Sequence, residues 1–210
     1  MPTVARSLTP VLLVPDVEGE QVTQLLPGEP VVVHEAGEEW TRVVAPWQPG
    51  SQHAGGYPGW VGSGHLVEVD EEVERVRRGP VTGVDLVHAA AGYLGAPYQW
   101  GGMSADGIDC SGLVHVVARA AGLDVPRDAR DQADVLPAVG LDEVVVGDLY
   151  FFARPDRPVH HVGWVSSPAD RGPRRMLHAP QLGRSCHVVE EELSEERLAT
   201  LVGAARLLAR

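Results

Sequence analysis

Hydrophobic and polar positions alternate differently in the two parts of this chain. From residue 1 to about 70, short β-branched runs recur at close spacing: Pro10–Val14, Val22–Leu26, Val31–His34, Trp40–Val44, Tyr57–Val61 and Leu66–Val69. Turn residues separate them, Pro27-Gly28, Ala36-Gly37 and Pro49-Gly50 among them, and Ser51 to Gly56 reads as a loop insertion. Short strands broken by such turns predict a small barrel or sandwich. Residues 70 to 78 are charged and end at Gly79-Pro80, the composition of a linker. Beyond them the period changes. Val84 to Leu94 reads as a helix, with Asp85 in its first turn and Gly95 past its end. A second helix is expected over about 111–121, and one helical turn within 126–136.

Strand patterns then return at 148–152, 161–166 and 174–178, with a weaker one at 187–189. The apolar tail over 201–208 fits strand or helix equally by pattern. Helices first and antiparallel strands after give an α+β order, without the alternation of a doubly wound sheet. The expected division is a barrel over 1–70, a linker over 71–82 and a second domain over 83–210.

Composition narrows the classes. The 210 residues are 44% hydrophobic and 22% charged, which fits folded, water-soluble domains. The formal net charge of −12 is a poor match for nucleic acid or an anionic membrane, both of which need Lys/Arg neutralisation, so neither is an expected partner. Two cysteines, Cys110 and Cys186, cannot build a disulfide framework, and free thiols suit a reducing compartment. The first residues have no signal-peptide core and no run reaches a membrane span. A cytoplasmic protein is the expectation.

The chemistry gathers around Asp109-Cys110-Ser111-Gly112. A polar, glycine-rich stretch precedes it and an apolar helical run, Leu113 to Ala121, follows. Asp109 or Ser111 can cap that helix. Cys110 then sits at the positive end of the helix dipole, where a thiolate is favoured. Gly101 and Gly102 would let backbone approach a substrate closely. A thiol nucleophile needs a base and a group that orients the base, and histidine titrates in the right range. His161 opens one expected strand and His178 closes another. If the two strands are antiparallel neighbours joined through Ser167–Gly172, both imidazoles reach the same sheet edge. His160 and His161 would point to opposite faces; pattern alone does not say which is inward. His160, His161, His178, Cys186 and His187 are residue types that could ligate a metal, but no metal-site spacing is present, and no metal or other cofactor is expected.

Taken together, Tyr98-Gln-Trp-Gly-Gly, Asp109-Cys110-Ser111-Gly112-Leu, Gly147-Asp148-Leu-Tyr-Phe-Phe, His161-Val-Gly and Leu-His178-Ala-Pro resemble, in order and spacing, the NlpC/p60 family of cysteine peptidases, from about residue 85 onward. Residues 1–70 resemble a bacterial Src-homology-3-like barrel, with Tyr57-Pro-Gly-Trp-Val similar to that module's last strands. The resemblance implies a papain-like domain of helices packed on an antiparallel sheet, with Cys110 as nucleophile, His161 as base and His178 as the residue that orients it. It implies Tyr98 as an oxyanion donor, and Asp109, Ser111, Tyr57 and Glu20 as substrate-binding residues. The pair is similar to intracellular enzymes that cut the γ-D-glutamyl–diamino acid bond of murein peptides (L-Ala-γ-D-Glu-diamino acid). One departure is Ala129, where the family often carries a hydroxyl that contacts substrate. Cys186 matches no catalytic position. An amidase or acyltransferase on the same thiol chemistry and an inactive peptide-binding module are the rival readings.

Overall fold

The computed structural model describes residues 1–71, 73–75, 81–181 and 186–208. Residues 72 and 76–80 of the expected linker therefore lie outside the described residues. The chain divides into two compact units, one of residues 1–75 with 100–104, the other of residues 76–99 with 105–210.

The first unit is all β. Its strands are β1 (Thr3–Ala5), β2 (Thr9–Leu12), β3 (Gln21–Leu25), β4 (Pro30–Ala36), β5 (Trp40–Ala45), β6 (Tyr57–Gly62) and β7 (Leu66–Glu68). They form one antiparallel sheet in the order β3-β2-β6-β5-β4-β1-β7. β1 was not expected from the sequence: three residues are too few to show an alternation. Val11, Leu25, Val31, Val43, Tyr57 and Val61 pack into its core. Buried polar groups are paired within it. Gln48 donates to the Gln24 carbonyl (2.7 Å) and to Glu29 (2.9 Å), and accepts from Thr23 (2.6 Å); each of these bonds spares a buried group its desolvation cost.

Residues 100–104, with the short strand β8 (Met103–Ser104), belong to this unit. Gln21 donates to the Trp100 carbonyl (2.8 Å), and the Met103 N–H donates to Gln24 Oε1 (2.8 Å). Gly101 has a φ of +71°, and a Cβ there would lie 2.9 Å from the Gln21 carbonyl oxygen. Glycine at 101 is thus required by close backbone packing on β3, a role different from the substrate groove that the sequence suggested.

The second unit begins with α1 (Gly83–Ala91), opened by a capping box in which Thr82 and Asp85 satisfy each other's backbone N–H groups. β9 (Gly107–Ile108), α2 (Cys110–Ala120), α3 (Ala129–Val135) and β10 (Ala138–Val139) follow. Then come β11 (Leu149–Phe152), β12 (His161–Ser167), β13 (Arg175–His178), β14 (Val189–Glu192), α4 (Glu195–Thr200) and β15 (Leu201–Ala205). The sheet is antiparallel, in the order β10-β15-β11-β12-β13-β14. This is a mixed α/β fold, rich in sheet with few helices.

The open question at the tail resolves to strand. Arg206 makes a two-pronged pair with Asp148 (2.9 and 2.8 Å), which ties the tail to the turn before β11. The weak pattern at 187–189 understates its strand, which runs on through Glu192. Its acidic residues hid it, since a run of like charges reads as solvated surface. Tyr150, Phe152, Val165, Met176, Leu193 and Ala204 pack together as a core.

Candidate active site

Every group in the site lies in the second unit, and its local structure follows from the sequence. Asp109 is the N-cap of α2: its Oδ1 accepts from the Gly112 N–H at 2.6 Å. Of the two capping candidates it is therefore Asp109 that caps, and Cys110 becomes the first helical residue. Ser111 instead donates its hydroxyl to Asp109 Oδ1 (3.2 Å).

Behind this pair lies Arg127, 1% exposed. It donates to both oxygens of Asp109 (3.0 and 2.8 Å) and to Ser111 Oγ (3.1 Å). A two-pronged guanidinium–carboxylate pair is among the stronger polar contacts and holds the carboxylate in one orientation. Arg127 has no role legible in the sequence; a lone arginine in a polar stretch carries no sign that it will be buried.

The cysteine loop is braced from its other side. Tyr98 forms a parallel bridge with Ile108, and its N–H donates to the Cys186 carbonyl (2.8 Å). Tyr98 is half-buried, and burial first, then the proximity of Cys110 and Asp109, pushes its hydroxyl far above the ordinary tyrosine range. It stays protonated and able to donate.

Cys110 is 8% exposed. Burial, then Asp109, pushes its thiol up to about 12, against the pull of the Val162 and Ser111 backbone N–H groups and of Arg127. Val162 directly follows His161, so the sulfur rests against the start of β12. The expectation of a thiolate stabilised by the helix dipole is thus outweighed here by desolvation.

His161 opens β12 and is buried, while His160 beside it is exposed, which settles the question of which imidazole points inward. β12 and β13 are antiparallel neighbours, and His161 Nε2 lies 2.8 Å from His178 Nδ1. His178, fully buried, continues through Nε2 to Glu191 Oε1 at 3.0 Å. Burial holds His161 well below the ordinary histidine value and lowers His178 as well, the latter against the opposing pull of Glu191. Both are neutral at neutral pH. A neutral thiol and a neutral imidazole need no resting ion pair: the proton can pass as the sulfur attacks.

Two other expected residues lie in the first unit. Tyr57 starts β6 inside that core, its hydroxyl 3.5 Å from Gln52 Nε2. Glu20 is exposed, just before β3. Ala129 is the first residue of α3. Cys186 is exposed, with its sulfur 3.8 Å from the Gln181 carbonyl. Among the described residues no group of three or more His, Cys, Asp or Glu is placed to hold a metal ion, and no helix is long and apolar enough to cross a membrane.

A thiol at a helix start and a hydrogen-bonded imidazole pair on an antiparallel sheet are the parts that cysteine-peptidase chemistry uses. The chain belongs to the NlpC/P60 family, whose profile matches residues 95–202. It is 30% identical over 240 residues to the gamma-D-glutamyl-L-lysine dipeptidyl-peptidase of Bacillus subtilis, covering 85% of this chain and 79% of that protein. A Bacillus cereus protein of the same name matches at 36% over 107 residues, half of this chain and 31% of the relative. The crystal structure of an NlpC/P60 family protein from Bacillus cereus superposes with a TM-score of 0.86 at 20% identity, over the whole of both chains, a likeness of fold.

Proposed function

We propose that this peptidase hydrolyses the γ-D-glutamyl–diamino acid bond of peptidoglycan-derived peptides that carry a free N-terminal L-Ala. The buried Cys110 thiol at the start of α2 and the bonded His161–His178 pair support the reading of the reaction. The similarity to relatives named for γ-D-glutamyl-L-lysine cleavage supports the choice of bond.

In this reading Cys110 Sγ attacks the γ-carbonyl carbon of D-Glu while His161 takes its proton. His161 Nε2 is engaged by His178, so Nδ1 is the nitrogen left for the sulfur. The Tyr98 hydroxyl and the Cys110 backbone N–H donate to the oxyanion; such preorganised donors are worth about 3–4 kcal/mol each. The tetrahedral intermediate collapses to a thioester as His161 returns the proton to the departing amine. Water, deprotonated by His161, then adds to the thioester and releases the dipeptide and the thiol. Asp109 and Ser111, held by Arg127, bind the substrate's polar end. Glu20, exposed in the first unit read as a Src-homology-3-like barrel, has the charge to form a charge-assisted bond with an α-ammonium group. A role in recycling wall peptides in the cytoplasm belongs to the same proposal, since the chemistry needs a reduced Cys110 and both cysteines are free thiols.

The test is a digest of synthetic L-Ala-γ-D-Glu-L-Lys and its diaminopimelate counterpart, with free and N-acetylated ends. The expected products are L-Ala-D-Glu and the free diamino acid, from the free-amine peptides only, with turnover lost by about 10³-fold or more in Cys110→Ser. Cleavage at another bond, equal cleavage of acetylated peptides, or capture of the acyl group by added amine in preference to water would contradict it.

A further inference from the structure

The imidazole pair has an ambiguity that a third group must resolve. A neutral imidazole carries one N–H. Two arrangements satisfy the 2.8 Å contact between His161 Nε2 and His178 Nδ1. In one, His161 donates from Nε2 and its Nδ1 is bare. In the other, His178 donates from Nδ1, and His161 must carry its hydrogen on Nδ1, where it cannot accept the thiol proton. Only the first is competent.

We propose that Glu191 is a positioning residue that selects the competent arrangement, an inference that rests on the reading of Cys110 as nucleophile and His161 as base. An ionised carboxylate can only accept. At 3.0 Å from His178 Nε2, Glu191 fixes the single hydrogen of His178 on that nitrogen. His178 Nδ1 is then bare and accepts from His161 Nε2, which leaves His161 Nδ1 bare for the sulfur. The carboxylate also offsets the positive charge that His161 acquires during attack.

The strand register places the three side chains in series. Glu191 pairs with Met176, two residues from His178 on the same strand, and this diagonal neighbour is within reach of a long side chain. Glu191 is itself held. Arg197 of α4 lies 3.7 Å from its carboxylate and over the Phe152 ring at 5.9 Å. Phe152 in turn packs against the His161 ring at 5.6 Å. His161, His178, Glu191, Arg197 and Phe152 thus form a closed circuit of contacts around the base. The titratable and charged groups that act on the two imidazoles are Glu191, Arg197 and His160, besides the imidazoles themselves.

The test uses the full chain and two readouts. Nitrogen-15 spectra of the histidine side chains report which ring nitrogen carries hydrogen. The wild type is expected to show hydrogen on Nε2 and a bare Nδ1 for both His161 and His178. Glu191→Gln, whose amide can donate as well as accept, is expected to show mixed tautomers, with kcat lowered about 10–100-fold, the usual range for loss of an orienting partner, and KM within about twofold. Glu191→Asp should recover part of the loss. A wild-type His161 with hydrogen on Nδ1, or a Glu191→Gln enzyme with wild-type spectra and kcat, would overturn the proposal. The wild-type spectrum needs no variant and no substrate. If no murein peptide is cleaved, the functional reading fails by itself. The rate of Cys110 alkylation by iodoacetamide then replaces kcat, and a rate unchanged in Glu191→Gln would overturn this inference.

Discussion

Burial sets the protonation of the site. Cys110 is pushed up and His161 and His178 are pushed down by the same loss of water, so the resting site is uncharged at its centre, with Asp109–Arg127 on one side and Glu191–Arg197 on the other. This has a consequence for stability. Unfolding returns both histidines to an ordinary value near about 6.5, so below that pH the unfolded chain binds protons that the folded chain refuses. The imidazoles therefore cost nothing above about pH 6.5, and stability falls as pH drops from there toward their lowered folded values. Urea midpoints measured from about pH 7 to about pH 5 should decline, and His161→Gln should flatten the decline. An equal slope in the variant would show that His161 is not held neutral. Cys110, His161 and His178 were legible in the sequence because each stands in a local pattern: a helix start, a strand start and a strand end. Arg127, Glu191 and Arg197 were not. Their roles come from partners 18, 13 and 6 residues away, and nothing in their own neighbourhoods sets them apart from solvated charges.

Among the elements, three adjacent strands and one helix do the assembling. α2 brings the sulfur to the start of β12, and β12, β13 and β14 each contribute one member of the series His161, His178 and Glu191. The spacing between β12 and β13 is controlled at Gly163. A Cβ there would lie 3.0 Å from His178 Cβ and 2.9 Å from Met176 Sδ. The methionine tip can move, but the His178 Cβ cannot without its strand. Gly163→Ala should displace His178 from His161 and cost about 1–3 kcal/mol of stability. It should also lower kcat by up to about 100-fold, the scale of effect of an ångström-sized misplacement at a site. Full activity in a folded Gly163→Ala enzyme would mean that the imidazole pair tolerates a different spacing. The strands of both units were largely readable from alternation and turn residues. β1 was too short to read, β14 was masked by its acidic residues, and α4, at six residues, offered too few turns for a helical period to show.

At the scale of the whole molecule, the chain combines an all-β unit with a peptidase unit, and the family match falls on the second of these. The resemblance drawn from five motifs spread over about 80 residues was legible because the family's order of elements fixes the order of its chemistry: cysteine before the helix, histidines on the strands that follow. The assignment of residues 100–104 to the first unit was not legible, because it depends on Gln21 and Gln24 bonding to backbone about 80 positions away.

The nucleophile is identified by which sulfur carries the acyl group. Mass spectrometry of protein acid-quenched within a turnover of L-Ala-γ-D-Glu-L-Lys, followed by peptide mapping, reads this directly. The prediction is an L-Ala-γ-D-Glu acyl adduct on Cys110, labile to hydroxylamine. It should be absent in Cys110→Ser and unaffected by Cys186→Ser. Turnover with no adduct on Cys110, or an adduct on Cys186 instead, would contradict it.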